Sequence, residues 1–410
     1  MSMYMNGRKF VERYTYALER DFVFPSGEPA TWAPGHPKHW GQERARIPLN
    51  GIATTPTLSP DDRFVAVGVD KEIHIFDIAT QERLEVLVDG DLIGTVKFAP
   101  SKSTHYVLAS QSDTDEETVI LWELDEQGKL PAKTRHEKQY THCFEGRFGS
   151  FNSDGNMTII FSQNETTQEE TREAASLPSV NIWNIEARSF QHKLLGHTDS
   201  IMWAAMSPDN KLVASVAWDG TARVWDASSG FCLHILGPFG GQLGTGAFSM
   251  DQRYLAFSQR SPRSYVHVYD IHTGQPLSCF AGFHLVGPSL SWRHDGTMLA
   301  GGANEGKLCI WDPYTGEERI RWCLAFDDPL MRIFATTRAV QFVDGGRKLV
   351  FRIREGTVET YDFESNLKQQ FTRGVGDKID GCSILEMVCS RDSKFVVVPD
   401  MDGFLRIWDL

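Results

Sequence analysis

A short apolar stretch that ends on Trp-Asp, or on a close variant of that pair, recurs eight times along this 410-residue chain. By subtraction of their final positions, successive endings lie roughly 42 to 61 residues apart. Self-similarity near a period of ~40–45 residues indicates repeated units of four short strands, and it overrides the expectation of two or three separate domains for this length. The eight endings are Ile73–Asp77, Val119–Glu123, Val180–Asn184, Ala222–Asp226, Val266–Asp270, Leu308–Asp312, Val358–Asp362 and Leu405–Asp409.

The fourth repeat shows how each unit is built. Its three apolar segments, at 201–207, 212–217 and 221–226, alternate apolar and small residues, as expected for strands buried between neighbouring sheets. Asp209-Asn210 and Asp219-Gly220 separate these segments, and Asn and Gly tolerate the positive φ angles of tight hairpins. The pattern therefore predicts an all-β fold of antiparallel strands.

These residues resemble the WD-repeat family of β-propellers over roughly residues 44–410. The resemblance implies a ring of four-stranded blades and, in the fourth repeat, a hydrogen-bonded tetrad of His197, Ser215, Asp219 and Trp225. In such a tetrad Asp219 orients His197, which bonds Ser215, which accepts the indole N–H of Trp225. A buried indole donor needs an acceptor, so we interpret the tetrad as structural and not catalytic.

The last repeat stops at its third strand, so its outer strand must come from elsewhere. Arg44–Gly51 matches the outer strands of the other repeats, and in the family an N-terminal strand usually completes the last blade. Such closure hides sheet edges that would otherwise aggregate. We expect an eight-bladed propeller over residues 44–410 and a short extension over residues 1–43. Seven blades remain an alternative if the irregular second and third repeats hide a miscount.

Charge and hydropathy restrict the class of partner. Hydrophobic residues make up 41% of the chain, and no run reaches the ~18 apolar residues that span a bilayer. Lysine and arginine number 41 against 54 acidic residues, so the formal charge is 41 − 54 = −13. An acidic surface repels phosphate backbones and anionic lipid and favours basic partners. We therefore expect protein partners, with nucleic acid and membrane disfavoured.

Cysteine usage points to a reducing compartment. The seven cysteines form no CxxC pair and no regular spacing, and the N-terminus has no signal peptide pattern. An odd number without a secretory signal predicts the cytoplasm or the nucleus. Most of these cysteines lie in strand-like runs, where a thiol acts as a small buried hydrophobe. No metal-ligand cluster is present, and we expect no cofactor.

Residues 1–43 lie outside the repeats. Apolar residues recur at helical spacing over residues 8–22, and residues 21–40 are rich in proline and glycine and include Trp32 and Trp40. One interpretation is a cap on the outer wall of the propeller, because termini are ordered mainly when they dock on their own domain. The other is a partner-binding arm anchored by the two tryptophans, a residue type enriched at binding hot spots.

Three repeats carry insertions between their second and third strands, at Gln111–Thr118, Gln163–Pro178 and Gln259–Ser264. All three open on one face of the predicted propeller, and insertions in repeat proteins cluster on the binding face. The first two are acidic and lie on neighbouring blades, so they would steer a basic segment there, although single charged loops are usually only solvated. The candidate contact residues are Asp113, Asp115, Glu116, Glu117, Glu165, Glu169, Glu170, Arg260 and Arg263.

These features predict a non-enzymatic interaction scaffold or adaptor, acting as a monomeric propeller within a larger complex. Two alternatives come from the resembled family. Phosphoinositide-binding propellers, the PROPPIN family, carry Phe-Arg-Arg-Gly, and Phe371–Gly374 has Thr372 in place of the first arginine. Substrate-recognition subunits of ubiquitin ligases often carry Trp-Asp-x-Arg, and no repeat ending here has that arginine. An enzyme is a third alternative, for which the chain offers no nucleophile, metal or phosphate-loop motif.

Overall fold

The described part of the chain is almost entirely β-structure. It contains 33 strands in eight sheets and one 3-10 turn, Asp344–Gly346. The computed structural model describes residues 31–32, 43–51, 53–101, 105–113, 118–131, 142–145, 147–162, 177–260, 264–281, 285–303, 307–323, 337–353, 358–365, 367–371, 387–400 and 403–410.

Each sheet is one blade of the propeller. Two strands precede the first complete blade: β1 Thr31–Trp32 and β2 Glu43–Pro48. Blades 1 and 2 are β3 Ala53–Leu58, β4 Phe64–Val69, β5 Glu72–Asp77 and β6 Arg83–Val88, then β7 Ile93–Phe98, β8 Tyr106–Ser112, β9 Thr118–Leu124 and β10 His142–Glu145. Blades 3 and 4 are β11 Arg147–Phe151, β12 Met157–Ser162, β13 Ser179–Asn184 and β14 Ser189–Leu195, then β15 Ile201–Met206, β16 Leu212–Ala217, β17 Ala222–Asp226 and β18 Cys232–Leu236.

The remaining strands complete blades 5 to 8. Blades 5 and 6 are β19 Leu243–Phe248, β20 Tyr254–Gln259, β21 Tyr265–Asp270 and β22 Gln275–Ala281, then β23 Leu285–Trp292, β24 Leu299–Ala303, β25 Lys307–Trp311 and β26 Glu318–Cys323. Blades 7 and 8 are β27 Thr337–Val343, β28 Lys348–Ile353, β29 Val358–Asp362 and β30 Leu367–Phe371, then β31 Val388–Cys389, β32 Phe395–Pro399 and β33 Phe404–Asp409.

The N-terminal strand β2 closes the ring. It pairs antiparallel with β33, with Arg46 opposite Arg406 and Ile47 opposite Leu405, and so becomes the outer strand of blade 8. Pro48 stands at the end of this edge strand, where a missing N–H breaks no ladder. The prediction of eight blades closed by an N-terminal outer strand is confirmed, and the seven-bladed alternative is wrong.

Blade 7 carries a fifth strand. The two residues of β1, Thr31 and Trp32, pair in parallel with Leu367 and Lys368 of β30. This part of the residue 1–43 extension therefore lies along the outer edge of the propeller.

The core is divided among the junctions between blades. Within the described residues, buried apolar clusters fill seven of the eight junctions, each built from the facing sides of two neighbouring sheets. Between blades 1 and 2, for example, Phe64 packs edge-on against Tyr106, with ring centroids 5.3 Å apart. Because both faces of a blade are covered, the second strands are mostly buried, and β16 and β20 are buried along their whole length.

In five of the eight blades, the aspartate that ends the repeat caps the turn that follows it. In blade 1, Asp77 Oδ1 accepts the amide hydrogens of Ala79 and Thr80 at 3.0 and 2.9 Å, and Asp77 Oδ2 lies 3.6 Å from Arg63 Nε. One short carboxylate thus satisfies two turn amides that no ladder reaches, which explains why Asp recurs at this position. The same two backbone bonds recur at Asp226, Asp270, Asp312 and Asp362.

The prediction that most cysteines act as small buried hydrophobes holds for only two of the four cysteines whose side-chain exposure the structure describes. Cys309 and Cys389 are buried, whereas Cys232 and Cys279 are exposed. The exposed pair lies on the outer strands β18 and β22, and outer strands are the least covered part of a blade.

Candidate functional site

The insertion-bearing face of the propeller collects two sets of loops. Strands run antiparallel from the inner strand outward in each sheet, so connections alternate between the two ends of the blade. The turns between second and third strands and the links between blades therefore open on one face. The turns after first and third strands open on the opposite face.

One position recurs on the insertion-bearing face: the residue directly after each second strand. In blades 2, 4 and 5 its backbone N–H donates to a carbonyl just before the inner strand of the same blade: Asp113 to Leu92 at 2.7 Å, Trp218 to Ser200 at 2.9 Å and Arg260 to Gln242 at 2.7 Å. The equivalent residue in blade 1 is Asp70, which follows β4. This bond holds Asp113, Trp218 and Arg260 above the start of an inner strand, so their side chains contribute to the chemistry of the face.

Four aspartates converge over blades 1 and 2, and we call them the acidic lip. They are Asp70, Asp89, Asp91 and Asp113, from three loops. Two backbone bonds tie those loops together: Ile93 N–H donates to the Asp70 carbonyl at 2.8 Å, and Asp113 N–H donates to the Leu92 carbonyl.

Asp113 of the acidic lip packs closely against Gly94 of β7. A β-carbon added at Gly94 would meet Asp113 Cβ at 3.1 Å, so a larger residue there would require Asp113 to shift by a few tenths of an ångström. Asp70, Asp91 and Asp113 are exposed, and Asp89 is half-buried.

Asp89 connects the lip to the core of blade 2. Ser110 Oγ donates to Asp89 Oδ2 at 2.7 Å, and the buried Trp122 donates its indole N–H to the same Ser110 Oγ at 2.9 Å. Burial raises the pKa of Asp89; the bond from Ser110 opposes the rise and the charge of Asp91 adds to it, so the pKa stays above its ordinary value. Removing a neighbouring negative charge would therefore lower that pKa.

A single lysine reaches into the lip among the described side chains. Lys71 Nζ donates to the Gly90 carbonyl at 3.1 Å, between Asp89 and Asp91. One cation against four carboxylates leaves the region negative, and the sequence continues from Asp113 into Asp115, Glu116 and Glu117.

The fourth blade contains a complete chain of side-chain hydrogen bonds. His197 Nδ1 lies 2.8 Å from Asp219 Oδ2, His197 Nε2 lies 2.8 Å from Ser215 Oγ, and Trp225 Nε1 donates to Ser215 Oγ at 3.0 Å. Burial raises the pKa of Asp219, but the bond and charge of His197 and the bond from Thr221 outweigh it and hold the pKa well below its ordinary value. The His197 ring, Ser215 and the Trp225 indole are all buried, so this chain faces the protein interior.

The structure separates the candidate residues that it describes. Asp113 stands over blade 2 and Arg260 over blade 5, at equivalent positions three blades apart. Trp32 lies on the outer edge of blade 7, away from the insertion-bearing face. The candidates outside the described residues are Asp115, Glu116, Glu117, Glu165, Glu169, Glu170, Arg263 and Trp40.

Sequence reasoning missed three of the lip aspartates and Trp218. Asp70, Asp89 and Asp91 lie in short links without an insertion, so no change of loop length marks them. Trp218 directly follows β16, at the position that Asp113 holds in blade 2, and its indole nitrogen is buried without a hydrogen-bond partner among the described residues. Alignment of the repeats at the residue after the second strand could have found Asp70 and Trp218, whereas Asp89 and Asp91 lie in the link between β6 and β7 and have no such signal.

Two searches of the described residues bear on other kinds of site. No group of three or more His, Cys, Asp or Glu side chains in this part of the chain is arranged to hold a metal ion. No helix among these residues has the length and apolar character to cross a membrane. Phe371 ends β30, and the rest of Phe371–Gly374 lies outside the described residues.

Comparison with known proteins identifies repeats of one kind. The family model described as "WD domain, G-beta repeat" matches residues 188–226. The chain is 29% identical over 140 residues to the small ribosomal subunit protein RACK1y of Oryza sativa subsp. japonica, a match that covers 32% of this chain and 40% of that protein. It is 30% identical over 103 residues to the target of rapamycin complex subunit wat1 of Schizosaccharomyces pombe, covering 25% of this chain and 32% of that protein.

A solved structure shares the fold. The crystal structure of the computationally designed Ika8 protein superposes with a TM-score of 0.64 and 18% sequence identity, covering 90% of this chain and all of that one. The matched relatives extend well beyond the matched segments, which span less than half of each relative's length. Eight repeat endings, eight sheets of which seven have four strands and one has five, closure by the N-terminal strand, and the WD-domain match over residues 188–226 together identify this chain as a WD-repeat β-propeller.

Proposed function

We propose that this chain is a non-enzymatic scaffold, working in the cytoplasm or nucleus, that binds a basic segment of a partner protein on the insertion-bearing face over blades 1 and 2. The observation that carries the proposal is the convergence of Asp70, Asp89, Asp91 and Asp113 from three separate loops. The sequence adds further carboxylates in the insertions 111–118 and 163–178, which follow the second strands of blades 2 and 3.

Electrostatics supports a basic partner. Carboxylates gathered on one face raise the local concentration of a Lys/Arg-rich segment and speed its association, more strongly at low salt. Arg260, at the equivalent position on blade 5, places a positive charge on the same face, away from the aspartates of blades 1 and 2. A bound segment would therefore take one preferred direction, with its basic part over blades 1 and 2.

The relatives support a role in assemblies. One is named as a protein of the small ribosomal subunit and the other as a subunit of the target of rapamycin complex. Both names describe members of larger complexes, and we carry only that general role over to this chain.

The test is affinity purification of the tagged full chain from its native cells at low and moderate salt, read by mass spectrometry. We expect a stoichiometric partner rich in Lys and Arg that is lost at the higher salt. The double reversal Asp70→Lys with Asp113→Lys should lose that partner at both salt concentrations.

The matched control carries the same change of charge on the opposite face. Glu186→Lys with Glu317→Lys alters two exposed residues in turns after third strands, so it should keep the partner. Retention of the partner by the lip variant, or equal loss by the control, would contradict the proposed site.

A further inference from the structure

The outer strand of blade 4 differs from the other seven outer strands. Native sheets protect their exposed edges with charged side chains or proline, because an open ladder templates pairing with another chain. Strand β18, Cys232–Leu236, contains neither. By sequence, each of the other outer strands contains a charged residue or proline: Glu43, Arg44, Arg46 and Pro48 in β2, Arg83 and Glu85 in β6, Glu145 in β10, Lys193 in β14, Pro276 in β22, Glu318, Arg319 and Arg321 in β26, and Lys368 in β30.

Large apolar side chains are exposed along the same strand. Phe231 is 73% exposed, Leu233 49% and Ile235 56%. Single exposed apolar residues are common on soluble proteins, but a contiguous group marks an interaction surface. Phe190 and Leu195 of the neighbouring β14, 53% and 54% exposed, extend the apolar surface to blade 3.

The charges of the strands around this surface indicate which kind of partner it would bind. Strands β14, β18 and β22 contain no aspartate or glutamate, although the chain has 54 acidic residues and a net charge of −13. The one Lys, Arg, Asp or Glu residue on these three strands is Lys193 of β14, so a basic partner meets no carboxylate on them. A second copy of the same acidic chain is repelled by most of the surface, and here the like-charge repulsion is weakest.

The protein already extends one blade in this way. Strand β1 adds to the outer edge of β30 as a fifth strand of blade 7, so outer edges of this propeller accept further strands. We propose that β18 pairs antiparallel with β18 of a second copy across a two-fold axis, joining two blade-4 sheets into one. Self-pairing of one edge places the same surface on both copies, and an uncharged strand brings no like charges opposite each other. The resulting dimer differs from the monomeric propeller expected from the sequence.

The test is sedimentation velocity of the full chain over a wide range of protein concentration. We expect a concentration-dependent species of twice the 46.2 kDa monomer mass. Leu233→Lys should sediment as a monomer at every concentration, because the two-fold axis brings the two new lysines close together. The matched control is Val88→Lys on β6, which replaces a side chain of similar exposure (47%) on an outer strand that already carries charge, and it should remain dimeric.

Circular dichroism and thermal melting show whether the variants keep the wild-type fold. Hydrogen exchange of the unmodified chain gives a reading that needs no variant: amides of β18 should exchange more slowly as concentration rises, and those of β6 should not change. A wild-type chain that stays monomeric at all concentrations overturns the proposal. So does a dimer that Leu233→Lys leaves intact, or one that forms without protection of β18.

Discussion

His267 Nε2 lies 2.8 Å from Gln259 Oε1, so the ring nitrogen donates to the amide oxygen when the histidine is neutral. Gln259 in turn donates its amide hydrogen to the Phe239 carbonyl at 2.9 Å. The Phe239 ring lies 4.4 Å from the imidazole and Phe257 lies 5.4 Å from it. Burial among these rings lowers the pKa of His267 from 6.5 to about 4.

This contact predicts a pH-dependent stability. The folded pKa is below the unfolded one, so the unfolded chain binds more protons between pH 4 and 6.5, and stability rises with pH across that window. The stabilisation is complete above about pH 6.5 and is lost as pH falls toward 4. Since the ring is only half-buried, we expect about 1–2 kcal/mol and not the full ~3 kcal/mol of the shift. His267→Gln should flatten the slope of unfolding free energy against pH, measured by urea titration.

The matched control is His294→Gln, which removes an exposed histidine from a turn of blade 6. It should keep the wild-type slope between pH 4 and 6.5. Equal slopes for all three proteins would show that the slope comes from carboxylates alone.

The series of side-chain hydrogen bonds in blade 4 stabilises the fold, so we expect its disruption to lower the free energy of unfolding. Ser215→Ala removes the group that lies between His197 Nε2 and Trp225 Nε1, and both of those side chains are buried. A buried donor left without a partner costs about 1–3 kcal/mol, so the unfolding free energy should fall by that amount. Ser189→Ala, at an exposed position of β14, should change it by less than about 0.5 kcal/mol. A stability loss at Ser215 no larger than that at Ser189 would contradict the structural interpretation.

The repeat pattern was sufficient to predict the ring and its closure. Each ending is a third strand buried on both sides, and Arg44–Gly51 carries the alternation of an outer strand, with Ala45 and Ile47 buried between exposed residues. The parallel pairing of Thr31 and Trp32 with β30 could not be predicted, because a two-residue strand has no periodicity to read. The link between β18 and β19 supplies Phe239 to the His267 environment, a contact that the repeat pattern does not indicate.

The acidic lip was predictable only in part. Asp113 belongs to an insertion and was found, whereas Asp89 depends on where β6 ends and β7 begins. In blade 2, Asp89 accepts the hydrogen bond of Ser110, whereas in blade 4 the equivalent serine, Ser215, bonds His197. Such a change of residue type at one position does not alter hydrophobic periodicity, so the sequence pattern could not reveal it. The equivalence of Asp113, Trp218 and Arg260 also requires strand boundaries, which pattern reading gives only to within a few residues.

Thiol accessibility gives a prediction that distinguishes inner from outer strands. Burial raises the pKa of Cys389 to about 12, and Cys309 is fully buried, so neither should react with iodoacetamide in the folded protein. Cys232 and Cys279 are exposed but also have raised pKa values from partial burial, so they should react slowly and faster as pH rises above 9. Peptide mass spectrometry after timed alkylation measures all four sites. Labelling of Cys389 at the rate of Cys279 before unfolding would contradict the described core.

The closing strand depends on a buried ion pair. Arg406 is fully buried, its Nη1 donates to Glu43 Oε1 at 2.7 Å, and its Nε lies 3.3 Å from the buried Asp400 Oδ2. Glu43 belongs to β2 and Arg406 to β33, so this contact joins the two ends of the ring. Arg406→Met would leave the Asp400 carboxylate buried without this cation, which typically costs about 3–5 kcal/mol. The unfolding free energy should fall by that amount, and hydrogen exchange of the β2 amides should accelerate more than that of β16.

A neighbouring pair on the same two strands provides the comparison. Arg44 Nε lies 3.2 Å from Asp409 Oδ1, but the side chains are 44% and 53% exposed. Water screens such a pair, so Arg44→Met should cost no more than about 1 kcal/mol, including its contact with the Phe395 ring. The ratio of the two losses measures how far burial strengthens closure of the ring. If both variants lose the same small amount, the ring is closed by the backbone ladder and apolar packing of β2, and the buried ion pair adds nothing to it.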